Sequence, residues 1–249
     1  MAQYRYAENQ NYEDFASGRV FVNAPGQPAF PVRLASEAFQ RSLARWRAKG
    51  GDGRVTLYDP TCGGAYHLAV LAYLHWEDIG CIVVSDVDAE VLALAERNLG
   101  LLALDGLGVR IAEIERMLAD YQKDSHAAAL QSAQMFQTQL TENLRSHKIE
   151  TRLFQADATD PQVLETQLVG ENIDIVFSDV PYGMYSHWKA VGDEPPVVQM
   201  LAALQPSLTA HSVVAIAADK GQKVAHPAYR RVERFNMGKR RITLLELAE

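Results

Sequence analysis

Val55-Thr-Leu-Tyr-Asp-Pro-Thr-Cys-Gly-Gly-Ala-Tyr-His67 is the stretch of sequence that decides the fold. A short β-type run stops at an Asp-Pro pair, passes through a turn of small residues and then opens a helix. A strand that ends in a glycine turn against the start of a helix exposes backbone N–H groups and the positive end of the helix dipole. Such a turn suits a ligand with a carboxylate, a ribose or a phosphate. Gly63-Gly64 alone is a weak signal, because many glycine pairs are plain tight turns.

Three of the further strands that the sequence predicts end at an acidic residue. Cys81 to Asp86 is an apolar run typical of a buried parallel strand, Thr151 to Ala156 precedes Asp157, and Ile173 to Ser178 precedes Asp179. The carboxyl ends of parallel strands line one crevice, which is where α/β proteins bind their ligands. One Asp at a strand end is often only a helix cap. Their joint occurrence in this order favours a ligand site.

Helical periodicity precedes, separates and follows these strands. The sequence predicts a helix from Leu34 with Ser36 as N-cap, helices over Tyr66 to His75, Ala89 to Leu104 with Asp88 as N-cap, and Val197 to Leu208, a strand over Ser212 to Ala217, and a hairpin over Arg230 to Asn236 and Arg240 to Leu247. This order predicts an α/β fold, a doubly wound and mostly parallel seven-stranded sheet of the Rossmann-like type with an antiparallel edge. We expect a single domain over residues 1–249, with an N-terminal extension and helix over 1–53.

Residues 105–148 interrupt the alternation with two amphipathic helices. An α/β connection needs only a few residues, so this segment is predicted to be a helical insertion within the domain. Three uses of the insertion stay open: a helical hairpin packed on the main domain, a lid, or a dimer contact through the Gln-rich second helix.

Composition narrows the class of protein. At 249 residues and 48% hydrophobic, the chain can bury one large core. The polar start and the absence of a long apolar run predict a cytoplasmic protein, and the two cysteines show no zinc spacing, so no metal is expected. The net charge of −7 argues against general coating of nucleic acid. Basic residues nevertheless dominate 33–49 and 220–241, which predicts either a basic face or solvated helix and edge-strand surfaces.

With these residues identified, the chain resembles the class I S-adenosylmethionine-dependent methyltransferases. Asp59-Pro-Thr-Cys-Gly-Gly-Ala65 is similar to the first motif of that family, with Ala65 where a third glycine is often found. The resemblance implies S-adenosyl-L-methionine as cofactor, the glycines near its methionine moiety, Asp86 on the ribose, and Asp157 with Ala158 at the adenine edge. The cofactor-binding residues that it implies are Asp59, Pro60, Cys62, Gly63, Gly64, Asp86, Val87, Asp157, Ala158 and Asp179.

Asp179-Val-Pro-Tyr182 resembles the Asn/Asp-Pro-Pro-Tyr motif of enzymes that methylate exocyclic or amide nitrogens on planar groups. The lone pair of such a nitrogen is delocalised, so oxygen acceptors must take its hydrogens while an aromatic ring holds the base flat. The resemblance implies that Asp179 and the Val180 carbonyl are the acceptors and that Tyr182 is the stacking platform. Val180 replaces the first proline of the motif, which removes one fixed φ from the turn. The catalytic residues implied are Asp179, Val180, Pro181 and Tyr182.

Three longer pieces are similar to the avilamycin-resistance methyltransferases, which modify a guanine in 23S ribosomal RNA. They are Phe30 to Arg41, Ser85 to Leu92, and Asp179 to Gly183 followed by His187-Trp188. This resemblance implies an rRNA methyltransferase that acts on a guanine nitrogen, has 23S rRNA or the large ribosomal subunit as partner, works as a monomer and confers resistance to avilamycin-type orthosomycins. Arg33, His187 and Trp188 would then contact the substrate at the mouth of the crevice, and the insertion and basic segments would grip the RNA backbone.

Other functions fit the sequence less well, and two alternatives stay open. Methylation at pyrimidine C5 generally needs a thiolate, and neither Cys62 nor Cys81 is placed for that role. A NAD-dependent dehydrogenase is disfavoured because the turn lacks Gly-x-Gly-x-x-Gly spacing. The first open alternative is an N-methyltransferase for adenine N6 or protein glutamine. The second is a non-catalytic RNA-binding scaffold that binds S-adenosylmethionine.

Overall fold

The structure is a computed structural model, and it describes residues 4–16, 18–23, 29–180 and 194–248. A seven-stranded sheet has the order β3-β2-β1-β4-β5-β7-β6. The strands are β1 (Val55–Asp59), β2 (Ile79–Asp86), β3 (Glu150–Gln155), β4 (Ile173–Asp179), β5 (Leu208–Asp219), β6 (Tyr229–Met237) and β7 (Arg240–Leu247). Strands β1 to β5 are mutually parallel, and β7 and β6 add an antiparallel edge. The predicted sheet type and edge are confirmed.

Helices cover both faces of the sheet. They are α1 (Val32–Ala48), α2 (Tyr66–Leu74), α3 (Ala89–Gly100), α4 (Leu104–Tyr121), α5 (Asp124–Asn143), α6 (Pro161–Gln167) and α7 (Pro196–Leu204). Side chains of a strand alternate between faces, so Leu57 and Phe177 belong to the core under α1 to α5, while Tyr58 and Val176 belong to the core under α6 and α7. Among the described residues, no helix has the length and apolar character needed to cross a membrane.

Three predicted helix boundaries are wrong. Helix α7 ends at Leu204 rather than Leu208, because Gln205–Ser207 form a separate 3-10 turn and Leu208 already begins β5. Helix α1 begins at Val32 with Pro31 as N-cap, so Ser36 lies inside the helix, where its hydroxyl is 3.0 Å from His75 Nε2. Helix α3 ends at Gly100 rather than Leu104, because the next residues form a tight turn in which Ala103 N donates to Gly100 O at 3.1 Å. A Cβ at Gly106 would stand 2.2 Å from Gly100 O, so only glycine lets α4 approach α3 so closely. Asp88 is the N-cap of α3, as predicted.

The insertion is a helical hairpin, α4 and α5, that is packed on the rest of the molecule. Phe136 of α5 is fully buried, with its ring centroid 4.8 Å from that of Tyr73 and 5.4 Å from that of Phe21. Gln139 Nε2 donates to Tyr73 O at 2.8 Å, and Arg110 Nε donates to Val20 O at 2.9 Å. Of the three uses considered, these contacts are those of a packed hairpin. That residues 1–249 form one methyltransferase domain stays a prediction.

A strap of residues 4–9 crosses the start of α1 and is held there by a buried carboxylate. Glu37 is 0% exposed and accepts backbone hydrogen bonds from Arg5 N at 2.7 Å, Tyr6 N at 2.9 Å and Ala7 N at 2.8 Å. Arg41 Nε donates to the same carboxylate at 2.7 Å. Burial alone would raise the pKa of Glu37, but these donors outweigh it and hold the pKa below its usual value.

Candidate active site

The turn after β1 is fixed to the neighbouring strand by its own backbone. Cys62 N donates to Ser85 O at 3.0 Å, and Gly63 N donates to Asp86 Oδ2 at 2.9 Å. Gly63 has a φ of +53° and Ala65 a φ of +50°, which is the left-handed region. Ala65 therefore adopts the conformation that a glycine would adopt freely, at a cost of about 1–2 kcal/mol. Its methyl group is fully buried, which offsets part of that cost.

Asn98 holds the second half of this turn, although nothing in the sequence motif indicated it. Its side chain is 0% exposed, and its Nδ2 donates to Gly64 O and to Val22 O, both at 2.7 Å. Its Oδ1 accepts from Val22 N at 2.8 Å. One amide thus ties the turn to the segment before α1. The available signal was a polar residue on the otherwise apolar face of α3.

Asp86 is half-buried at the end of β2, the position predicted for a ribose ligand. One carboxylate oxygen accepts from Gly63 N and the other accepts from Asp88 N at 3.1 Å. Burial raises the pKa of Asp86, the backbone donors oppose the rise, and the nearby Asp59 carboxylate adds to it. A carboxylate has about four lone-pair sites, so two backbone bonds leave room for hydroxyl donors. Val87 beside it is 63% exposed.

Asp157 and Ala158 follow β3, next to Asp86. Ala156 N donates to Asp86 O at 3.0 Å, which keeps the two strand ends together. Asp157 is exposed, and its Oδ1 accepts from Thr159 N at 2.9 Å and from Thr159 Oγ1 at 2.7 Å. Part of this carboxylate is therefore used in a local turn. Ala158 is buried in the core under α6 and α7.

Asp59 and His67 form a buried polar pair behind the turn. Asp59 Oδ2 lies 3.3 Å from His67 Nε2, in a geometry that is not a hydrogen bond, and neither atom has a hydrogen-bond partner among the described residues. Asp59 is 0% exposed and His67 is 6% exposed. The imidazole packs beside the rings of Phe30 at 5.7 Å and Phe177 at 5.2 Å, which also contact each other at 5.6 Å. A buried carboxylate oxygen without a donor is costly, so this position favours a ligand that brings one.

Asp179 ends β4 beside a cation from the antiparallel edge. Arg240 Nε lies 3.4 Å from Asp179 Oδ1, and its NH2 lies 3.3 Å from Oδ2. The guanidinium carbon is 4.9 Å from the centroid of the Phe30 ring. Burial raises the pKa of Asp179 despite Arg240 and His67, which lower it, and Asp59 adds to the rise. Val180 is fully buried, and its N donates to Ala217 O at 3.0 Å. This hydrogen bond fixes the backbone at Val180, the residue whose carbonyl is a predicted acceptor.

The two thiols have the properties of structural cysteines. Burial raises the pKa of Cys62 well above its usual value, and the Asp59 and Asp86 carboxylates raise it further. Burial likewise raises the pKa of Cys81 to about 11. A nucleophilic cysteine needs a lowered pKa and partial exposure. The geometry therefore supports the argument against thiolate chemistry.

Arg33 is bound to the strap of residues 4–9. Its Nε and NH2 lie 3.3 Å and 3.2 Å from Ala7 O, its NH1 donates to Asn9 Oδ1 at 2.9 Å, and its guanidinium covers the Tyr4 ring at 3.9 Å. These contacts occupy much of the side chain, and its predicted contact with substrate stays a prediction. Four other predicted site residues lie outside the described residues: Pro181, Tyr182, His187 and Trp188.

The structure thus gathers the ends of β1, β2, β3 and β4 at one edge and adds three residues that the motifs missed. Asn98, His67 and Arg240 contact the turn, Asp59 and Asp179 respectively. His67 was quoted only as the end of the opening stretch. Arg240 was counted only in a basic segment, because its place beside Asp179 depends on the register of β5 with β7.

Comparison with known proteins agrees with this architecture. The family model described as rRNA methyltransferase AviRa matches residues 2–240. A relative from Streptomyces viridochromogenes, the 23S rRNA (guanine(2535)-N(1))-methyltransferase, is 39% identical over 250 residues, which is 100% of this chain and 98% of the relative. Two solved structures of the rRNA methyltransferase aviRa from the same organism superpose with a TM-score of 0.87 at 39% and 38% identity, covering 98% of this chain and 96% of theirs. The chain belongs to the AviRa family of ribosomal RNA methyltransferases.

Proposed function

We propose that this protein transfers a methyl group from S-adenosyl-L-methionine to N1 of a guanine in 23S rRNA. The observation that carries the proposal is the position of Asp179: a partly buried carboxylate at the same sheet edge as the glycine turn and Asp86. A family of rRNA methyltransferases and a relative named for guanine N1 supply the substrate class.

The residues after β1 and β2 fit the proposed cofactor. Asp59 Oδ2, which has no hydrogen-bond donor within the described part of the chain, suits an ammonium group such as that of a methionine moiety. Gly63 and Gly64 form the turn that would pass the methionine moiety, and a Cβ at Gly64 would stand 3.5 Å from Leu94 Cβ rather than in open space. Asp86 keeps acceptor capacity for ribose hydroxyls. Exposed Asp157 with buried Ala158 would border the adenine. When bound, the cofactor supplies an electrophilic methyl group on a sulfonium.

Asp179 is suited to activate N1 of guanine, the nitrogen that attacks the methyl group. N1 of guanine carries a hydrogen, so its lone pair becomes available only as that proton leaves. A carboxylate with a pKa raised by burial is a better proton acceptor than an exposed one. In this proposal Asp179 accepts the N1 proton, the Val180 carbonyl accepts from the base edge, and the predicted stacking by Tyr182 holds the flipped base.

Replacing Asp86 by Asn is expected to weaken cofactor binding about 10- to 100-fold, because a hydrogen bond to a charged group is worth about 1.5–3 kcal/mol. Calorimetric titration with S-adenosylmethionine measures the change. The thermal unfolding midpoint is recorded in parallel, because Asp86 also holds Gly63 N. An unchanged dissociation constant in a folded variant contradicts the assignment.

A basic rim beside the crevice is suited to RNA phosphates. We define it as Lys220, Lys223 and Lys239, which are exposed and form no ion pair with another described residue. Asp219 pairs with Arg240 in the β5–β7 register, so the residues after β5 and the turn before β7 lie at the carboxyl edge.

The basic segment 33–49 is different, because most of its cations are paired. Arg41 contacts Glu37 and Glu233, Arg45 and Lys49 contact Glu246, and Arg47 contacts Asp78.

Replacing all three lysines of the basic rim by Gln is expected to weaken binding to 23S rRNA and to make its salt dependence shallower. Each lost phosphate contact lowers the slope of log affinity against log salt by about 0.7 on single-stranded RNA, so the triple variant should lose about 2. Filter binding to a 23S transcript over a salt series measures the slope.

The matched control for the basic rim removes three cations at the opposite, amino edge of the sheet. Arg47, Arg54 and Lys148 precede or flank the starts of β2, β1 and β3, and the same Lys or Arg to Gln changes alter the net charge equally. Equal slope losses in both triple variants would show that net charge, rather than the basic rim, governs binding.

The proposed function is tested by incubating the purified protein with labelled S-adenosylmethionine and, separately, free 23S rRNA, large subunits, DNA and total protein, followed by mass mapping of the product. N1-methylguanosine in 23S rRNA is the expected result. Whether label enters free 23S rRNA or large subunits shows which of the two is the substrate. Label at adenine N6 would redirect the assignment within RNA, label only in protein would favour the glutamine alternative, and no label would favour the scaffold. Growth in avilamycin of cells that express the protein tests the proposed resistance.

A further inference from the structure

The Asp179–Arg240 pair is one of the long ion pairs of the structure. Its two contacts are 3.4 Å and 3.3 Å, whereas charge-assisted hydrogen bonds are usually about 2.7–2.9 Å. Both side chains are partly exposed, at 22% for Asp179 and 15% for Arg240. The Phe30 ring beneath the guanidinium sets its position through a cation–π contact. The two charged groups therefore stand side by side at the sheet edge without closing tightly on each other.

This arrangement is complementary to one edge of guanine. On that edge a hydrogen-bond donor, N1–H, stands directly beside an acceptor, O6. A carboxylate accepts from the first, and a guanidinium donates to the second. When N1 loses its proton, the negative charge is shared between N1 and O6, so a cation beside O6 stabilises the anion that must form before N1 can attack.

We propose that Arg240 binds O6 of the target guanine and stabilises the anion that forms as Asp179 takes the N1 proton. This inference rests on the proposed function. In the step, the N1–H bond breaks and its proton goes to an Asp179 oxygen. The electron pair on N1 forms the bond to the methyl carbon, and the carbon–sulfur bond breaks with its pair staying on sulfur. Asp179 then releases the proton to solvent.

The other charged and titratable groups around Asp179 define what Arg240 contributes. Asp59 from the end of β1 raises the pKa of Asp179, whereas His67 from α2 and Arg240 from β7 lower it. Asp59 and His67 face each other at 3.3 Å behind the turn. Arg240 is the described cation within hydrogen-bond distance of Asp179. Asp179 becomes neutral when it takes the N1 proton, so an uncharged side chain at position 240 would leave the guanine anion without the charge of Arg240 beside it and close to the Asp59 carboxylate.

Adenine gains little from the same cation. Its N1 carries no proton, so methyl transfer to adenine passes through no base anion. The charge of Arg240 therefore adds rate for guanine in particular, and we expect it to contribute to discrimination between the two purines.

The test compares Arg240→Gln and Arg240→Lys under saturating 23S rRNA and S-adenosylmethionine. Arg240→Gln is expected to lower kcat about 10²-fold, a typical effect of removing one donor to a developing oxyanion, with KM for RNA changed much less. Its rate should rise about tenfold per pH unit through the alkaline range, because the deprotonated base then accumulates without help. Arg240→Lys, which keeps the charge but not the planar fork, should recover part of kcat. Arg241→Gln is the matched control on the same strand, where the side chain contacts Asn236.

A rise in KM for RNA with kcat and pH profile unchanged in Arg240→Gln would overturn the inference, since it would make Arg240 a phosphate contact. If thermal unfolding shows that Arg240→Gln does not fold, Arg240→Lys carries the test. A lowered kcat with KM for RNA nearly unchanged supports the inference, because the planar fork on O6 is lost, whereas a raised KM with kcat unchanged overturns it. Failure of the wild-type protein to make N1-methylguanosine at all would instead refute the proposed function.

Discussion

Asp179→Asn is expected to lower methyl transfer to 23S rRNA by about 10³-fold, which lies within the range for removal of a general base. The asparagine keeps the volume and one acceptor oxygen, so it can still accept from Arg240, but it cannot take the N1 proton. S-adenosylmethionine binding should change little, because the cofactor turn is held by Ser85, Asp86 and Asn98 rather than by Asp179. Single-turnover transfer of labelled methyl and calorimetric cofactor titration give the two readouts.

The control for Asp179→Asn is the same exchange at Asp120, which is exposed on the insertion helix α4. That variant should keep wild-type transfer. Retention of transfer in Asp179→Asn would rule out Asp179 as the base. A parallel loss of cofactor binding would show that it holds the cofactor instead. A scaffold without catalytic activity would show no wild-type transfer to lose.

Glu37→Gln is expected to lower the free energy of unfolding by about 3–5 kcal/mol, the usual cost of breaking a buried charge pair. One carboxylate oxygen accepts from Arg5 N and Arg41 Nε, and the other accepts from Tyr6 N and Ala7 N. A glutamine turns one of these oxygens into an NH2 group that faces donors. Urea unfolding at neutral pH measures the difference.

The acid dependence of the same variant gives an independent check. The folded-state pKa of Glu37 is lowered, so its contribution is fully present above the usual Glu pKa and is lost as the pH falls through the lower folded-state value. The gap between wild type and variant should therefore narrow on acidification through that range. Glu142→Gln is the control, because Glu142 is 70% exposed and such a pair contributes about 0–1 kcal/mol. Equal losses in the two variants would contradict the role of Glu37.

Much of the fold was predictable because its signals are local. Apolar runs that end in an acidic residue identify parallel strands, and the turn after β1 places α2. The order of elements along the chain and the antiparallel edge therefore followed from local patterns. The end of α3 was not predictable in this way. It depends on the contact between Gly106 and Gly100 O, which exists only once α4 has folded back.

The site residues likewise fall into those that local sequence identifies and those that only the folded chain brings together. Asp59, Asp86 and Asp179 end their strands, so a motif identifies them. Arg240 lies 61 residues from Asp179 in sequence, and Asn98 lies 34 residues from Gly64. Their positions follow from strand register and helix packing rather than from spacing. The basic segment 33–49 shows a limit of sequence reasoning in the other direction. Its charge run suggested an RNA surface, but most of its cations bind acidic side chains within the molecule.

The Asn98 bridge has a consequence for synthesis on the ribosome. Val22 finds its hydrogen-bond partner 76 residues later in the chain, and the buried Phe21 packs against Phe136, which is made later still. At about 5–20 residues per second, the segment waits roughly 4–15 s for Asn98 alone. Residues 18–23 are therefore synthesised early, but they can pack in their final position only late. Until then Val22 is not joined through Asn98 to the cofactor turn. We expect a ribosome-bound chain halted before Asn98 to leave this segment open to protease, and one that extends beyond the insertion to protect it.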